Sequence, residues 1–276
     1  MIVSTRDRTL GDAGLTPAWA AARSRLALVA VLFAVAGIAW WSTGRRMEDM
    51  DAGPWTGLGT FAWFLGVWVV MMAAMMFPSV APTVALYARM SRAGSPLAPL
   101  LFTGGYLVVW GGVGALAFAV AFGAGPIAGD VLAWDRAGRW VAGVTLLAAG
   151  AYELTPLKTV CLRRCRSPLG FLLGCWRDGA AGALQMGARH GAWCVGCCWA
   201  LMASLFALGV MSVAWMAFIA GLIATEKIVP WRRVATYGTA TILLALGILL
   251  LVAPDAIPAL TIPADDPMGR MNPMHS

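Results

Sequence analysis

The sequence predicts an all-α membrane protein, a polytopic bundle of about seven transmembrane helices. Of its 276 residues, 60% are hydrophobic and only 12% are charged, whereas about a quarter of the residues in a soluble domain are charged. The mean hydropathy is +0.76. The apolar residues form long unbroken runs, which excludes a transmembrane β-barrel, because barrel strands alternate apolar and polar residues. A soluble enzyme, a disordered chain and a disulfide-rich secreted module do not fit this composition.

Seven apolar segments approach or exceed the length needed to cross the membrane. About 30 Å of hydrocarbon takes about 20 helical residues to cross, and the first and sixth segments are the shortest. The first resembles a signal peptide in part, but its apolar run continues past the candidate cleavage site, which favours a retained helix. The segments are 26–42, 61–82, 98–122, 139–156, 183–209, 213–229 and 234–253.

Basic residues in the connecting loops indicate how the chain crosses the membrane. With a cytoplasmic N-terminus, most of the 20 lysines and arginines fall in cytoplasmic loops, as the positive-inside rule requires. These loops also account for most of the net charge of +7, and no dense basic cluster indicates nucleic-acid binding. We therefore expect a cytoplasmic segment 1–25, a transmembrane domain 26–253 and a flexible extracytoplasmic tail 254–276.

The strongest local feature lies in the fifth segment, where sulfur-containing residues and a histidine occur at helical spacing. Residues three or four apart share one face of a helix, and a histidine within a span is costly and usually functional. Cysteine is also a common, inert core residue, so packing is the alternative interpretation. We interpret the stripe as a metal or redox site. Its members are Met186, His190, Cys194, Cys197, Cys198 and Met202.

The second segment carries a cluster of methionines. Met71 with Met75, and Met72 with Met76, are pairs four residues apart. Methionine is an ordinary filler of protein cores, so packing is again the alternative to a thioether ligand set. Pro78 follows directly and predicts freed backbone carbonyls and a kink, a feature that marks binding sites in some transporters.

The outward-facing segments also carry methionines at regular spacing, where there is no core for them to fill. We interpret them as ligands that capture a metal outside the membrane, with chance occurrence in a disordered tail as the alternative. They are Met47 and Met50 in the first outer loop, and Met268, Met271, Met274 and His275 in the tail.

A third sulfur pair, Cys161 and Cys165, lies among arginines in the inner loop 157–182. The two would share one face of a helix, and nearby arginines favour the thiolate form that binds metals. A cytosolic structural role is the alternative. Because all six cysteines fall on the cytoplasmic or intramembrane side of this topology, the sequence predicts that a metal captured by outer methionines passes to inner thiols.

The types of donor atom indicate which metal to expect. Thiolate and thioether ligands select Cu(I), and thiolate also suits zinc, whereas magnesium and calcium prefer oxygen. Because methionine contributes little to zinc binding, the mixture of methionine, cysteine and histidine predicts Cu(I), with zinc as the weaker candidate.

Three ionisable residues, Glu153, Arg189 and Glu226, lie within or at the edge of the predicted spans. A lone charge at such a position is expensive. We expect Arg189 to pair with one of the glutamates, and the alternative is a polar exit path or proton relay.

Several motifs together carry a resemblance to a known family. Met-Met-x2-Met-Met at 71–76 and Cys-x2-Cys-Cys-Trp at 194–199 are accompanied by matching stretches at 152–168 and 209–227. In these motifs the chain resembles a bacterial family of predicted metal-binding integral membrane proteins of unknown function. The resemblance implies a multi-pass protein of the bacterial inner membrane that binds a metal. The loop charges predict its cytoplasmic N-terminus and extracytoplasmic C-terminus.

Three functions are compatible with these features. The first is copper handling, meaning transfer, insertion or transport of Cu(I), with a metallochaperone or a membrane complex as partner. The second is a membrane thiol oxidoreductase in which Cys194 and Cys197 exchange electrons with a quinone. The third is an accessory subunit of a larger membrane complex. No catalytic triad, phosphate-binding loop or hydrolytic carboxylate pair is evident, so only the second hypothesis makes the protein an enzyme.

Overall fold

A computed structural model describes residues 26–42, 45, 60–91, 97–128, 139–208 and 213–253. Within these ranges the chain forms nine helices and no strand, which confirms the all-α prediction. The helices are α1 (Leu26–Ser42), α2 (Phe61–Met90), α3 (Leu97–Ala128), α4 (Arg139–Glu153), α5 (Pro156–Arg166), α6 (Pro168–Cys175), α7 (Gly179–Leu208), α8 (Val213–Ile228) and α9 (Arg232–Val252).

Three of these helices are long and apolar enough to cross a membrane. They are α2, the part of α3 from Leu97 to Gly123, and α9, and α1 is a shorter apolar helix. The other predicted spans are also helical and form α4, α7 and α8. The prediction of seven spans and of their orientation stays a prediction.

Helix α2 continues through both of its internal prolines. It begins after Thr60, whose side chain accepts a hydrogen bond from the backbone N–H of Trp63, and ends at Met90. Pro78 has no N–H to donate to the carbonyl of Ala74, four residues earlier. The indole of Trp40 in α1 donates to that carbonyl at 3.1 Å. The freed carbonyl predicted from Pro78 therefore exists, but its new partner lies on a neighbouring helix and α2 is not interrupted.

Helix α7 lies at the centre of the bundle, packed mainly against α3, α5 and α4 and also against α8. Its glycines allow this close packing. A Cβ atom added at Gly191 would lie 3.0 Å from the backbone oxygen of Tyr106 in α3, and one added at Gly187 would overlap the backbone of Phe102. The backbones of α3 and α7 therefore approach closely at these glycines.

The inner connection 157–182 is largely helical. Thr155 caps α5 by accepting a hydrogen bond from the backbone N–H of Lys158, and Pro156 occupies the first turn, where its missing N–H costs nothing. At the other end of α5, the guanidinium of Arg166 donates to the backbone carbonyls of Glu226 and Val229. These contacts hold α5 against the end of α8, and α5 also packs along α7.

Candidate metal centre

Three thiols from one turn of α7 form the closest group of soft ligands among the described residues. The Sγ atoms of Cys194, Cys197 and Cys198 all lie within 4.8 Å of one another, and all three residues are buried. Cys197 and Cys198 both donate to the backbone carbonyl of Cys194, at 3.2 and 2.9 Å. The predicted stripe of cysteines is therefore a real cluster, and it faces the interior of the bundle.

A fourth thiol joins this group from helix α5. Cys165 Sγ lies 3.6 Å from Cys197 Sγ. Cys161, one turn earlier on the same buried face of α5, packs over Gly196 of α7, where an added Cβ would lie 2.7 Å from its sulfur. The predicted helical spacing of the inner pair is confirmed, but only Cys165 is shown in contact with a thiol of α7.

The arginines of α5 do not act on these thiols as the sequence predicts. Arg163 and Arg164 are exposed on the opposite face of the helix, and Arg164 stacks on Trp193 with 5.6 Å to the ring centroid. Burial raises the pKa of Cys161, and hydrogen bonds to Cys194 and Cys197 raise the pKa of Cys165. The prediction that nearby arginines favour the thiolate here is wrong, because the cysteines face inward and the arginines outward.

The sulfur of Cys194 has two further polar neighbours from other helices. The hydroxyl of Tyr106 in α3 lies 3.1 Å from it, and the ammonium group of Lys227 in α8 donates to it at 3.1 Å. Lys227 also donates to the hydroxyl of Ser79 in α2, at 3.2 Å. Helices α3 and α8 thus both contact the sulfur of Cys194, and α2 is linked to it through Lys227.

His190 is buried one turn before Cys194 but does not belong to the close thiol group. Its ring is surrounded by Phe102, Tyr106 and Phe171, with centroid separations of 6.0, 6.1 and 4.9 Å. Its Nδ1 has no hydrogen-bond partner among the described residues. The histidine is therefore held in an aromatic pocket beside the thiols, and its role as a ligand stays a prediction.

The two methionines of the α7 stripe are both buried. The sulfur of Met186 accepts a hydrogen bond from the backbone N–H of Arg177 at 3.3 Å. This contact ties the start of α7 to the turn before it, which is a structural use of the thioether. A ligand role for Met186 or Met202 stays a prediction.

The methionines of α2 all point into the protein. Met71, Met72, Met75 and Met76 are at most 4% exposed, so none faces lipid. Helix α2 packs mainly against α3 and also against α8 and α6. Ser79, three residues beyond Met76 in α2, is linked to the thiol of Cys194 through the ammonium group of Lys227.

The predicted outer ligands lie outside the described residues. This applies to Met47 and Met50 in the first outer loop and to Met268, Met271, Met274 and His275 in the tail.

A buried group of charges lies at the start of α5, one turn before Cys161 on the same buried face. The ammonium of Lys158 is 2.5 Å from Glu153 Oε2 and 2.7 Å from Glu226 Oε2. Arg189 is exposed, and no ion pair joins it to either glutamate. The predicted pairing of Arg189 with a glutamate is therefore wrong, because that residue lies on the outer face of α7, whereas Lys158 projects from α5 between α4 and α8.

The comparison with protein families adds a second line of evidence. The model of a family described as PpoB2, copper chaperone, matches residues 65–250, which is more than half of the chain. The chain belongs to the PpoB2 copper chaperone family. No curated protein and no solved structure matches it significantly. The membership refines the resemblance inferred from the motifs, since the PpoB2 description names copper.

The residues matched by the PpoB2 model, 65–250, include the thiol group, Lys227 and the buried charges. Sequence reasoning missed Tyr106 and Lys227 as neighbours of Cys194, and it missed Lys158 as the partner of the glutamates. Lys227 follows Glu226 within one of the motifs that carry the resemblance, and this was the available signal for it. Tyr106 has no comparable signal, because a tyrosine among glycines in an apolar segment is ordinary.

Chemically, this thiol group offers a set of soft donors in a buried setting. Four thiols approach one another, and one of them lies beside a positive charge that stabilises a thiolate. Thiolates suit Cu(I) and zinc far better than magnesium or calcium. The residues present therefore fit a soft metal ion.

Proposed function

We propose that this protein is a multi-pass membrane protein that binds Cu(I) as its cargo at a thiolate site between α5 and α7 and delivers the ion to a partner. The observation that carries the proposal is the group of Cys194, Cys197 and Cys198, whose sulfurs lie within 4.8 Å of one another. Membership of a copper chaperone family supports it.

The arrangement of the thiols favours a transferable ion over a permanent one. Three of them stand on a single turn of one helix, and the fourth, Cys165, reaches them from a separate short helix. Two- or three-coordinate binding by α7 leaves the thiol of Cys165 as an additional ligand that can join or leave. A site of this kind can exchange its ion through ligand replacement, which is what a chaperone requires.

The charge beside the thiols supports a metal–thiolate complex. Cu(I) bound by two or more thiolates forms an anionic complex, and an anion in a buried site needs a nearby cation. Lys227 supplies that cation at 3.1 Å from Cys194 Sγ. No carboxylate belongs to the close ligand group among the described residues, so the site lacks the hard oxygen donors that magnesium and calcium need.

The position of the site supports uptake from one side and delivery on the other. Three helices are long and apolar enough to span a membrane, and the loop charges predict that α5 and α6 lie on the cytoplasmic side. We propose that the outer methionines collect copper, that the buried methionines of α2 form the route inward, and that the thiols between α5 and α7 receive it. A metallochaperone or a membrane enzyme in need of copper is the partner of this scheme.

The test is the metal content of the purified full-length chain. The protein is expressed, purified in detergent under anaerobic reducing conditions, loaded with Cu(I) in competition with a chelator, and analysed for copper and zinc. We expect about one copper ion per chain for the unchanged protein. The double variant Cys194→Ser, Cys197→Ser should lose that ion, because two of the three closest sulfurs are removed.

Cys175→Ser is the matched control. Cys175 is half-buried at the end of α6 and lies outside the close group, so its loss should leave the copper content unchanged. Size-exclusion elution shows whether each variant keeps its fold. An unchanged copper content in the double variant contradicts the proposal, and so does a preference for zinc over Cu(I) in the unchanged protein.

A further inference from the structure

The buried charges around Lys158 contain more acid than base. The carboxylates of Glu153 and Glu226 approach one ammonium group from two sides, at 2.5 and 2.7 Å. Glu153 and Glu226 are only 1% and 2% exposed, and Lys158 is fully buried. With every group ionised, this triad carries a net charge of −1 inside the protein.

Lys158 itself stays charged. Burial acts to lower its pKa, but the carboxylates of Glu226 and Glu153 outweigh that effect and raise the pKa above the usual lysine value. One carboxylate is therefore balanced by the ammonium and the other is not.

The neighbouring charges do not supply the missing cation at the carboxylates. From α5, Arg166 turns its guanidinium to the backbone carbonyls of Glu226 and Val229 instead of to a carboxylate. From α8, Lys227 binds Ser79 and Cys194, so its ammonium is occupied elsewhere. From α9, Arg232 is exposed and interacts electrostatically with Arg166.

Each carboxylate of the triad has one oxygen that accepts no hydrogen bond among the described residues, and the one on Glu226 is not the oxygen paired with Lys158 either. Glu226 Oε1 is buried and has no hydrogen-bond partner among the described residues, while the Oε2 atom of the same carboxylate contacts Lys158. An ionised carboxylate oxygen left in this state is costly. A proton on one of the two carboxyl groups removes the excess charge and gives the group a donor.

We propose that Glu153, Lys158 and Glu226 form a binding site for one proton, shared between the two carboxyl groups at neutral pH. This site goes beyond metal binding and does not depend on it, because it holds whether or not the thiols take copper. Lys158 and Cys165 lie seven residues apart on one buried face of α5, about 10 Å along its axis. The proton-binding site thus lies on the same face of α5 as Cys165.

The experiment is infrared spectroscopy of the full-length protein in detergent at neutral pH, in the metal-free state. A buried protonated carboxyl group absorbs apart from the amide band and from ionised carboxylates. We expect this absorption in the unchanged protein, with a shift in D2O and a further shift when the glutamates carry ¹³C in the carboxyl group. The ¹³C shift assigns the proton to glutamate without any substitution.

Two variants then locate the proton. In Glu153→Gln and in Glu226→Gln, the remaining carboxylate faces Lys158 alone and should ionise, so the absorption should disappear in both. Asp178→Asn, which changes an exposed carboxylate, is the control and should keep it. Absence of the absorption in the unchanged protein, absence of the ¹³C shift, or persistence of the absorption in either glutamine variant overturns the proposal. A protein that loses copper binding but keeps the absorption contradicts the proposed function alone.

Discussion

The sulfur of Cys165 lies 3.6 Å from the sulfur of Cys197, although 32 residues separate the two in sequence. This contact joins the short helix α5 to the central helix α7 at the thiol group. Cys165, which lies in the connection between two predicted spans, therefore joins the cluster formed by the cysteine motif at 194–198.

The first prediction concerns the contribution of Cys165 to metal binding. Replacing it with serine should lower the affinity for Cu(I) by at least about tenfold. Removing a residue that only hydrogen-bonds to a metal ligand already costs about that much, and removing a ligand itself should cost no less. Competition between the purified protein and a Cu(I) chelator measures this affinity. Cys175→Ser should behave like the unchanged protein. Equal affinities for the Cys165 variant and the unchanged protein would show that the ion is held by α7 alone.

The second prediction concerns oxidation of the same pair. A thiol oxidant such as diamide should convert Cys165 and Cys197 into a disulfide. Their sulfur atoms are 3.6 Å apart, so a small movement of α5 reaches the S–S bond length of about 2.05 Å. Mass spectrometry of tryptic peptides detects the link between α5 and α7. Bound Cu(I) should protect both thiols. A link within α7 between Cys194 and Cys197 would instead favour the thiol oxidoreductase hypothesis.

Much of the fold could be predicted because it depends on local patterns. Apolar runs and helical spacing predicted the helices and the buried stripe of Cys194, Cys197 and Cys198, and both are present. The glycines of α7 are a local feature as well, and the backbones of α3 and α7 meet at Gly187 and Gly191. Among the described residues, three helices are long and apolar enough to cross a membrane, and the other predicted spans stay predictions.

The partners of polar residues could not be predicted in the same way. Spacing alone does not separate Arg189 from Lys158 as a partner for the glutamates. Only the rotation of their helices decides that Lys158 points inward while Arg189 points out. The arginines of α5 illustrate the same limit, since they flank its cysteines in sequence and lie on the opposite face in space. Spacing determines which residues share a face, but packing determines what that face meets.

The third prediction tests the close packing of α5 on α7. A methyl group at Gly196 would lie 2.7 Å from Cys161 Sγ, so Gly196→Ala should destabilise the protein by about 1 to 3 kcal/mol through overpacking. Thermal unfolding in detergent measures the loss. Adding Cys161→Ala should restore stability, because it removes the sulfur that the methyl group displaces. Gly221→Ala, at an open position of α8, is the control, and an equal loss there would contradict the packing argument.

The fourth prediction concerns the positive charge at the thiol group. Lys227 is the cation next to Cys194, and removing one partner of a buried charge pair costs well over a factor of ten in binding. Lys227→Gln should therefore lower the affinity for Cu(I) by at least about tenfold, whereas Lys227→Arg should keep most of it. Arg233→Gln removes an exposed cation and should have no effect. If the glutamine and arginine variants bind equally well, the charge has no role.

The fifth prediction concerns the hydrogen bond from Trp40 to the carbonyl of Ala74, at 3.1 Å. Trp40→Phe should lower stability by about 1 kcal/mol, because that carbonyl then loses its donor. In a Pro78→Ala background the new residue 78 supplies the N–H that proline lacks, so the same change at Trp40 should cost less. A double-mutant cycle of thermal unfolding gives this coupling directly. Equal losses in both backgrounds would mean that Trp40 stabilises α2 by packing and not by replacing the bond that Pro78 removes.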